Sequence, residues 1–414
     1  MCQSKEQGGR RCANALMRQR NKQARITAEA KAEKTGFASI SLIASPAAIK
    51  EHLEKKLIVS RQHPDFPELS IYCYSKQAQA DNHWDPITIE ARGIIVNNET
   101  NEIVARPFGK FFNYGQDVKG LTDFPKTGKM EVMEKADGSL GIMYKRPDGK
   151  TAIATKGSMD SDQAKQATEL YNEKYEGTWN PDPDYTYCFE YIHPDNRIVI
   201  DYGDTEGLML LGARHKVTGK SMTQEELDKA GWKGMRPQIH SYSSLSEVIE
   251  AQNEGIKGEE GFVVNFVDHD KKVKFKFKEY LDLHRKVSNV NVNRIYDAYV
   301  KGEDIKKDVP DEFYSDVEKI TNHYDGLVKD RKAQLDQQYD EVVNSLPKGY
   351  TQKDLAQASF SKSKAIDNIS AQTVAKYILS KHKGQDRHRE IITNSFKPYG
   401  NVGMSTFLKK IGEK

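Results

Sequence analysis

The chain has 414 residues, 37% of them hydrophobic and 30% charged, with a formal net charge of only +3. That length supports two or three domains with cores of their own, and the polarity suits a soluble chain with a wide solvated surface. No apolar run approaches membrane-spanning length, no secretory h-region is present and the overall charge does not announce a nucleic-acid binder, so only local patches can speak for such a partner.

The four cysteines (Cys2, Cys12, Cys73, Cys188) are scattered, with no Cys-x-x-Cys. Reduced thiols in a cytoplasmic protein are expected rather than disulfides or a zinc site. Residues 1–36 carry nine Lys/Arg against three Glu, a net of +6. Few large apolar residues occur there, so this tail cannot build a core. It reads as a disordered or loosely helical extension, with the boundary at residue 44. An arm for nucleic-acid phosphates is an alternative. So is an organellar presequence, although Glu6, Glu29 and Glu33 interrupt it.

Ser45-Pro46 opens an amphipathic helix over 46–60, with Ala48, Leu53, Leu57 and Ile58 on its apolar side. Residues 70–74 and 87–96 read as strands, the second ending at Asn97-Asn98 and pairing back with 103–108. Gly109-Lys110-Phe111-Phe112-Asn113 then sets a lysine beside two aromatic rings. Next comes Lys135-Ala136-Asp137-Gly138-Ser139, an Asp-Gly turn between two apolar-rich runs, 130–133 and 140–144. Such a dipeptide between such runs predicts a hairpin or tight turn. It would fix Lys135 at a strand end with its amine aimed into a cleft. An amine attacks phosphorus only when neutral, so neighbouring cations or desolvation must lower its pKa. Alone, the pentapeptide reads better as a surface lysine beside an ordinary turn; the cations elsewhere in the chain favour the cleft.

Residues 140–146 and 150–156 form a hairpin across Arg146-Pro147-Asp148-Gly149. That pairing brings Lys156 back to about Leu140, near the Lys135 turn. A helix follows to about Tyr175. In the strand 185–192, period two separates the aromatics from Glu190. Residues 196–202 and 208–214 continue the β pattern, and 223–231 and 244–254 read as short helices. The strand 259–267 carries Glu259 and Glu260 at its head. In Lys274-Phe275-Lys276-Phe277-Lys278, alternation puts three ammonium groups on one face, which repel unless an anion lies there. A solvated edge strand protected by lysines is the alternative. From about Arg285 the pattern is helical: 311–346 has apolar residues at helical spacing, and Thr351-Gln352-Lys353-Asp354 is a helix start. The many cations beyond Lys348 read as solvated faces or as an RNA-contacting surface.

Lys135, Arg92, Lys110, Lys156, Glu190, Glu260 and the Lys-x-Lys strand together suggest cations around a triphosphate. A carboxylate such as Glu260 would hold Mg²⁺, and another such as Glu190 would accept from a ribose hydroxyl. The chemistry would be attack of the Lys135 amine on the α-phosphorus of a nucleotide. Lys135-Ala136-Asp137-Gly138-Ser139 resembles the Lys-x-Asp-Gly motif of the ATP-dependent RNA ligases, a branch of the covalent nucleotidyltransferases. The strand ending in Glu190, Glu260-Gly261 and Lys276-Phe277-Lys278 resemble the later motifs in their order. Arg92-Gly93-Ile94, Lys110-Phe111-Phe112-Asn113, Asn196-Arg197-Ile198-Val199 and Tyr280 to His284 are similar to the bacteriophage tRNA-repair RNA ligase. The likeness runs from about residue 46 to near 305, and the helical tail is also of that type.

The resemblance implies a three-step reaction. Lys135 takes AMP from ATP, passes it to an RNA 5′-phosphate, and a 3′-hydroxyl then seals the strand with release of AMP. It implies nucleotide contacts by Tyr74, Arg92, Lys110, Glu190, Lys276 and Lys278, and ligation roles for Lys156 and Tyr280. It further implies metal-linked Glu260 and Asp304, with Mg²⁺ as the metal and Mn²⁺ able to substitute for it. The position at which relatives stack an aromatic on adenine falls near Leu210-Leu211, both aliphatic.

Rival readings are a DNA ligase or capping enzyme, which would carry short strands of an OB-fold after the Lys-x-Lys strand, and a non-catalytic RNA-end binding protein. A P-loop is excluded, because Gly219-Lys220-Ser221 has Arg214 where the earlier glycine is required. The expected fold is α+β. An antiparallel-sheet nucleotidyltransferase core of the ATP-grasp-like ligase kind fills 45–285, and an all-α domain for RNA specificity fills 286–414. The expected molecule is a monomer, with no membrane, acting on single-stranded RNA ends such as a nicked tRNA anticodon loop.

Overall fold

The computed structural model describes residues 46–118, 120–125, 127–396 and 404–412. The basic extension, Cys2, Cys12 and Lys397 lie outside them. The chain divides into two compact units, Met1–His284 and Arg285–Lys414.

In the first unit, β1 (Ile58–Gln62), β2 (Leu69–Tyr74), β3 (Arg92–Asn97) and β4 (Glu102–Ala105) form one antiparallel sheet in that order. After β5 (Phe112–Asn113) and β6 (Met130–Glu134) come β7 (Ser139–Lys145), β8 (Thr151–Ala154), β9 (Tyr185–Ile192) and β10 (Gly207–His215). The last four make a second antiparallel sheet, ordered β10-β9-β7-β8. With β11 (Ile239–His240), β12 (Gly261–Phe266) and β13 (Lys271–Lys276), the third sheet runs β11-β6-β12-β13-β5, and only β5 joins in parallel.

Leu69, Ile71 and Ile95 of the first sheet pack against Ile142, Tyr144 and Ala152 of the second. The helix Asp162–Lys174 contributes Ala167, Leu170 and Tyr171 to a core with Phe189, Leu208 and Trp232 of the second sheet and its surroundings. The third sheet buries Val264, Val273 and Phe275 with Val248 of the helix Leu245–Glu254 and with Tyr280. Each such aliphatic or aromatic side chain contributes roughly 1.5–3 kcal/mol.

The structure departs from the sequence expectations in several elements of the first unit. The first helix ends at Glu54, and Lys56, with φ +57°, turns the chain so that Leu57 precedes β1 rather than extending the helix. Ile87-Thr88-Ile89-Glu90 is not strand but part of the helix Pro86–Glu90. Asp85 caps it by accepting from the amides of Ile87 and Thr88 at 2.9 and 2.8 Å, and Pro86 starts it. Asn196 closes a short 3-10 turn, Pro194–Asn196, and residues 197–202 are irregular, because the amides of Val199 and Ile200 donate to Asp137 instead of to a strand partner. Finally, Asp137-Gly138 is not a hairpin. β6 pairs with β11 and β12, and β7 pairs with β8 and β9, so the turn carries the chain from the third sheet to the second.

In the second unit Val292–Lys301, Tyr314–Asn344, Gln352–Lys362, Ala371–His382, His388–Ser395 and Met404–Gly412 are helices. Leu335, Val342, Leu355, Val374, Tyr377 and Ile392 pack into its core. Thr351 and Asp354 form the capping box that their spacing predicts. Among the described residues, Cys73 and Cys188 are buried free thiols, and no helix is long and apolar enough to cross a membrane.

Candidate active site

The Lys135 turn is held from several directions. Its backbone amide donates to Gly261 O at 2.8 Å, which ties the end of β6 to the head of β12. The Asp137 carboxylate is buried. One oxygen accepts from the amides of Val199 and Ile200 at 2.8 and 2.7 Å, the other from the Tyr280 hydroxyl at 2.9 Å. The amide of Gly138 donates to Glu190 Oε1 at 3.0 Å, and Ser139 Oγ donates to Asn196 at 3.0 Å. A Cβ on Gly138 would stand 2.5 Å from Tyr191 O, so no other residue lets the turn lie so close to β9. Gly261, at φ +149°, meets the same limit: its Cβ would fall 1.9 Å from Phe275 O.

Lys135 Nζ lies 2.6 Å from Glu260 Oε2, and Lys276 Nζ lies 3.0 Å from Oε1 of the same carboxylate. A buried carboxylate, Glu260, therefore bridges two ammonium groups. Burial opposes ionisation of Glu260, yet Lys135 and Lys276 hold its carboxyl below the usual range. Burial pushes the Glu190 carboxyl up to about 7; Lys135 works against this shift and Glu260 with it.

A cavity of about 260 Å³ opens beside the turn. Its charged lining is Arg92, Glu134, Lys135, Glu190, Lys272, Lys274 and Lys276, and its apolar lining includes Met133, Leu211, Pro237 and Val263. Of the residues singled out from sequence, Arg92, Lys135, Glu190 and Lys276 share this hollow, while Glu260 is bonded to two of its lysines. Tyr74, Lys110, Lys156 and Lys278 are not in its lining. Lys278 is exposed at the start of the helix Lys278–Val287, because the lysine strand begins and ends earlier than its alternation suggested. Lys272, one period upstream, takes part instead. Lys156 Nζ stands 4.9 Å from the Tyr74 ring centroid, so these two form a pair of their own. Lys110 is buried among aromatics, 5.2 Å from the Trp84 ring, 5.5 Å from Phe112 and 5.6 Å from Tyr74. Asp304 belongs to the second unit, where its carboxylate accepts from the Lys306 amide at 3.2 Å.

Among the described residues no three His, Cys, Asp or Glu side chains gather into a metal cage. Glu260 instead fits a cation that brings phosphate oxygens and water as most of its ligands, since such a cation takes only one or two protein carboxylates.

Tyr280 is 2% exposed and bonded to Asp137, which makes it a positioning residue for the turn. Tyr280→Phe is expected to lower stability by about 1 kcal/mol and to slow covalent labelling by ATP along with every later step. Labelling at the wild-type rate with only strand sealing impaired would place its action on RNA instead.

Residues 90–281 match the family model described as RNA ligase. The matched segment contains the turn, the residues that line the cavity and Tyr280. A putative bifunctional polynucleotide kinase/RNA ligase of Autographa californica nuclear polyhedrosis virus is 25% identical over 288 residues, 64% of this chain and 40% of the relative. A putative RNA ligase of Thermovibrio ammonificans is 30% identical over 191 residues, 44% of this chain and 48% of the relative. The chain thus spans less than half the length of these curated relatives. Among solved structures, an archaeal ATP-dependent RNA ligase is similar at 15% identity and a TM-score of 0.42, covering 85% of this chain and 97% of that one.

Proposed function

We propose that the chain is an ATP-dependent RNA ligase that joins 5′-phosphate and 3′-hydroxyl ends. The observation that carries this is the single hollow in which Lys135, Arg92, Glu190, Lys274 and Lys276 converge on the turn pinned by Asp137. Lys135 Nζ attacks the α-phosphorus of ATP; a P–N bond forms and the bond to pyrophosphate breaks. An RNA 5′-phosphate oxygen then attacks the same phosphorus, and the P–N bond breaks. A 3′-hydroxyl oxygen next attacks the RNA 5′-phosphorus, and AMP leaves. Arg92, Lys274 and Lys276 neutralise charge on the phosphates, and the fixed turn supplies position; these are the main demands of phosphoryl-type transfer.

Glu190 accepts from a ribose hydroxyl, and Leu211 and Val263 flank the adenine with aliphatic surface. Glu260 would hold Mg²⁺, which would supply further charge neutralisation. Lys110, Lys156, Tyr74 and Lys278 act on the phosphates or the RNA from outside the hollow, and Asp304 is a further metal-linked acid. The helical second unit steers RNA choice, broken tRNA anticodon loops being the substrate that its type suggests. The protein acts as a monomer in the cytoplasm.

The test is incubation with α-phosphate-labelled ATP, Mg²⁺ and a 5′-phosphorylated single-stranded RNA. The expected outcome is a covalently labelled protein and then an RNA circle. A chain that takes no label, or that seals nicked duplex DNA and leaves RNA untouched, refutes the reading.

A further inference from the structure

A second cavity, of about 440 Å³, adjoins the first and shares Phe108, Phe111 and Lys272 with it. Its size is that of a small-molecule site. The side chains of Lys276, Lys274 and Lys272 stand at alternate positions of β13, roughly 7 Å apart. The row therefore leads from the lysine bonded to Glu260 to the lysine that lines both hollows. The wall of the second cavity combines Lys110 and Lys271 with the rings of Trp84, Phe112 and Phe124. Trp84 is fixed: its indole N–H donates to Asn82 Oδ1 at 2.8 Å, and its ring meets Tyr74 and Phe112 edge-on at 5.2 and 5.5 Å. The three acidic wall residues are engaged: Asp270 pairs with Lys272 at 2.8 Å, Glu90 binds two arginines, and Asp85 caps its helix and lies 2.9 Å from His52 Nε2.

Stereochemistry says what must arrive there. Displacement at phosphorus is roughly in line. Pyrophosphate therefore leaves opposite Lys135 Nζ. In the next step Nζ is itself the leaving group, so the incoming RNA 5′-phosphate takes the place that pyrophosphate vacated. The first nucleoside of that RNA must lie beyond it, past the lysine row. A phosphate tail would use the lysines of this cavity but not its rings, whereas a nucleobase stacks on aromatic surface. We propose, on the basis of the RNA-ligase reading, that the second cavity binds the 5′-terminal nucleoside of the donor RNA and that Trp84 is its stacking surface.

The experiment mixes purified lysyl-AMP enzyme with rising concentrations of a short 5′-phosphorylated oligoribonucleotide and follows adenylated RNA. Trp84→Ala is expected to raise the half-saturating RNA concentration about 5- to 150-fold, the range for losing one base–aromatic stack. Labelling by ATP should fall by a much smaller factor, and Trp84→Phe should stay within about threefold of wild type in both, since a ring remains. An unchanged RNA dependence in Trp84→Ala overturns the proposal. So does an equal fall in ATP labelling, which would assign the cavity to the nucleotide's own phosphate tail. A second reading avoids dependence on the alanine variant's folding. Donor RNA should change the tryptophan emission of the wild-type lysyl-AMP enzyme, and Trp84→Phe should lose that change, since Trp179 and Trp232 lie in the core against the second sheet. A signal that survives Trp84→Phe overturns the assignment. Wild-type protein that never labels with ATP sinks the ligase reading itself, and the cavity's assignment falls with it.

Discussion

Lys135→Ala is expected to abolish the covalent AMP adduct, with no label surviving denaturation after incubation with α-phosphate-labelled ATP. No other lysine of the hollow can substitute. Lys272, Lys274 and Lys276 are carried by β13, across β12 from the turn. Only Lys135 stands on the segment that Asp137, Gly138 and Gly261 fix in place. In the structure its amine donates to Glu260, so Nζ must leave that carboxylate before its lone pair can face phosphorus. The same variant should still seal RNA that already carries a 5′-adenylate, because that step needs no nucleophilic amine. Persistent labelling of Lys135→Ala would assign the nucleophile elsewhere. Loss of sealing on pre-adenylated RNA would mean that the lysine's charge, and not only its bond to AMP, serves the last step.

What could be read from sequence was whatever repeats at a fixed short period. The strand 185–192 alternates aromatics with Glu190, and β9 has those bounds. The lysine strand alternates Val273 and Phe275 inward against lysines, as its composition suggests, although it is shifted so that Lys272 joins and Lys278 does not. What could not be read was set by partners distant in sequence. Asp137-Gly138 has every local mark of a hairpin, yet β6 finds better cover in β12 than in β7. The run 87–96 has strand composition, but Asp85 and Pro86 start a helix that aims Glu90 inward. Arg214 counted in sequence only as a missing glycine. Its function as an anchor depends on a carboxylate 124 residues away.

That anchor carries the other large expected effect. Glu90 is buried, and its two oxygens face Arg106 at 3.0 and 3.1 Å and Arg214 at 2.7 and 2.8 Å. The guanidiniums also donate outward, Arg106 to Val217 O at 2.9 Å and Arg214 to Gly219 O and Pro107 O at 2.6 and 3.0 Å. One carboxylate thus ties the helix Pro86–Glu90 to β10 and to the segment that leads into Phe108, a wall of both cavities. Glu90→Ala would leave two guanidiniums buried without a counter-charge, and removing one partner of a buried pair costs roughly 3–5 kcal/mol. Replacing all three residues by apolar side chains of similar volume should cost far less, since no charge is then left unpaired.

The pH dependence has a definite sign. Burial alone would raise the Glu90 carboxyl, but the two arginines hold it down at about 2, against an ordinary 4.5. A depressed carboxylate stabilises the fold fully above its unfolded value and loses that contribution as pH falls toward its folded one. The linkage is about 3 kcal/mol between pH 4.5 and 2. Denaturant unfolding of wild type and Glu90→Gln at pH 7 and at pH 3 tests this. The gap between them should be several kcal/mol at pH 7 and narrower at pH 3. A gap under about 1 kcal/mol at pH 7 would mean that the arginines find water once the carboxylate is gone, and that the wall of the two cavities is held by packing alone.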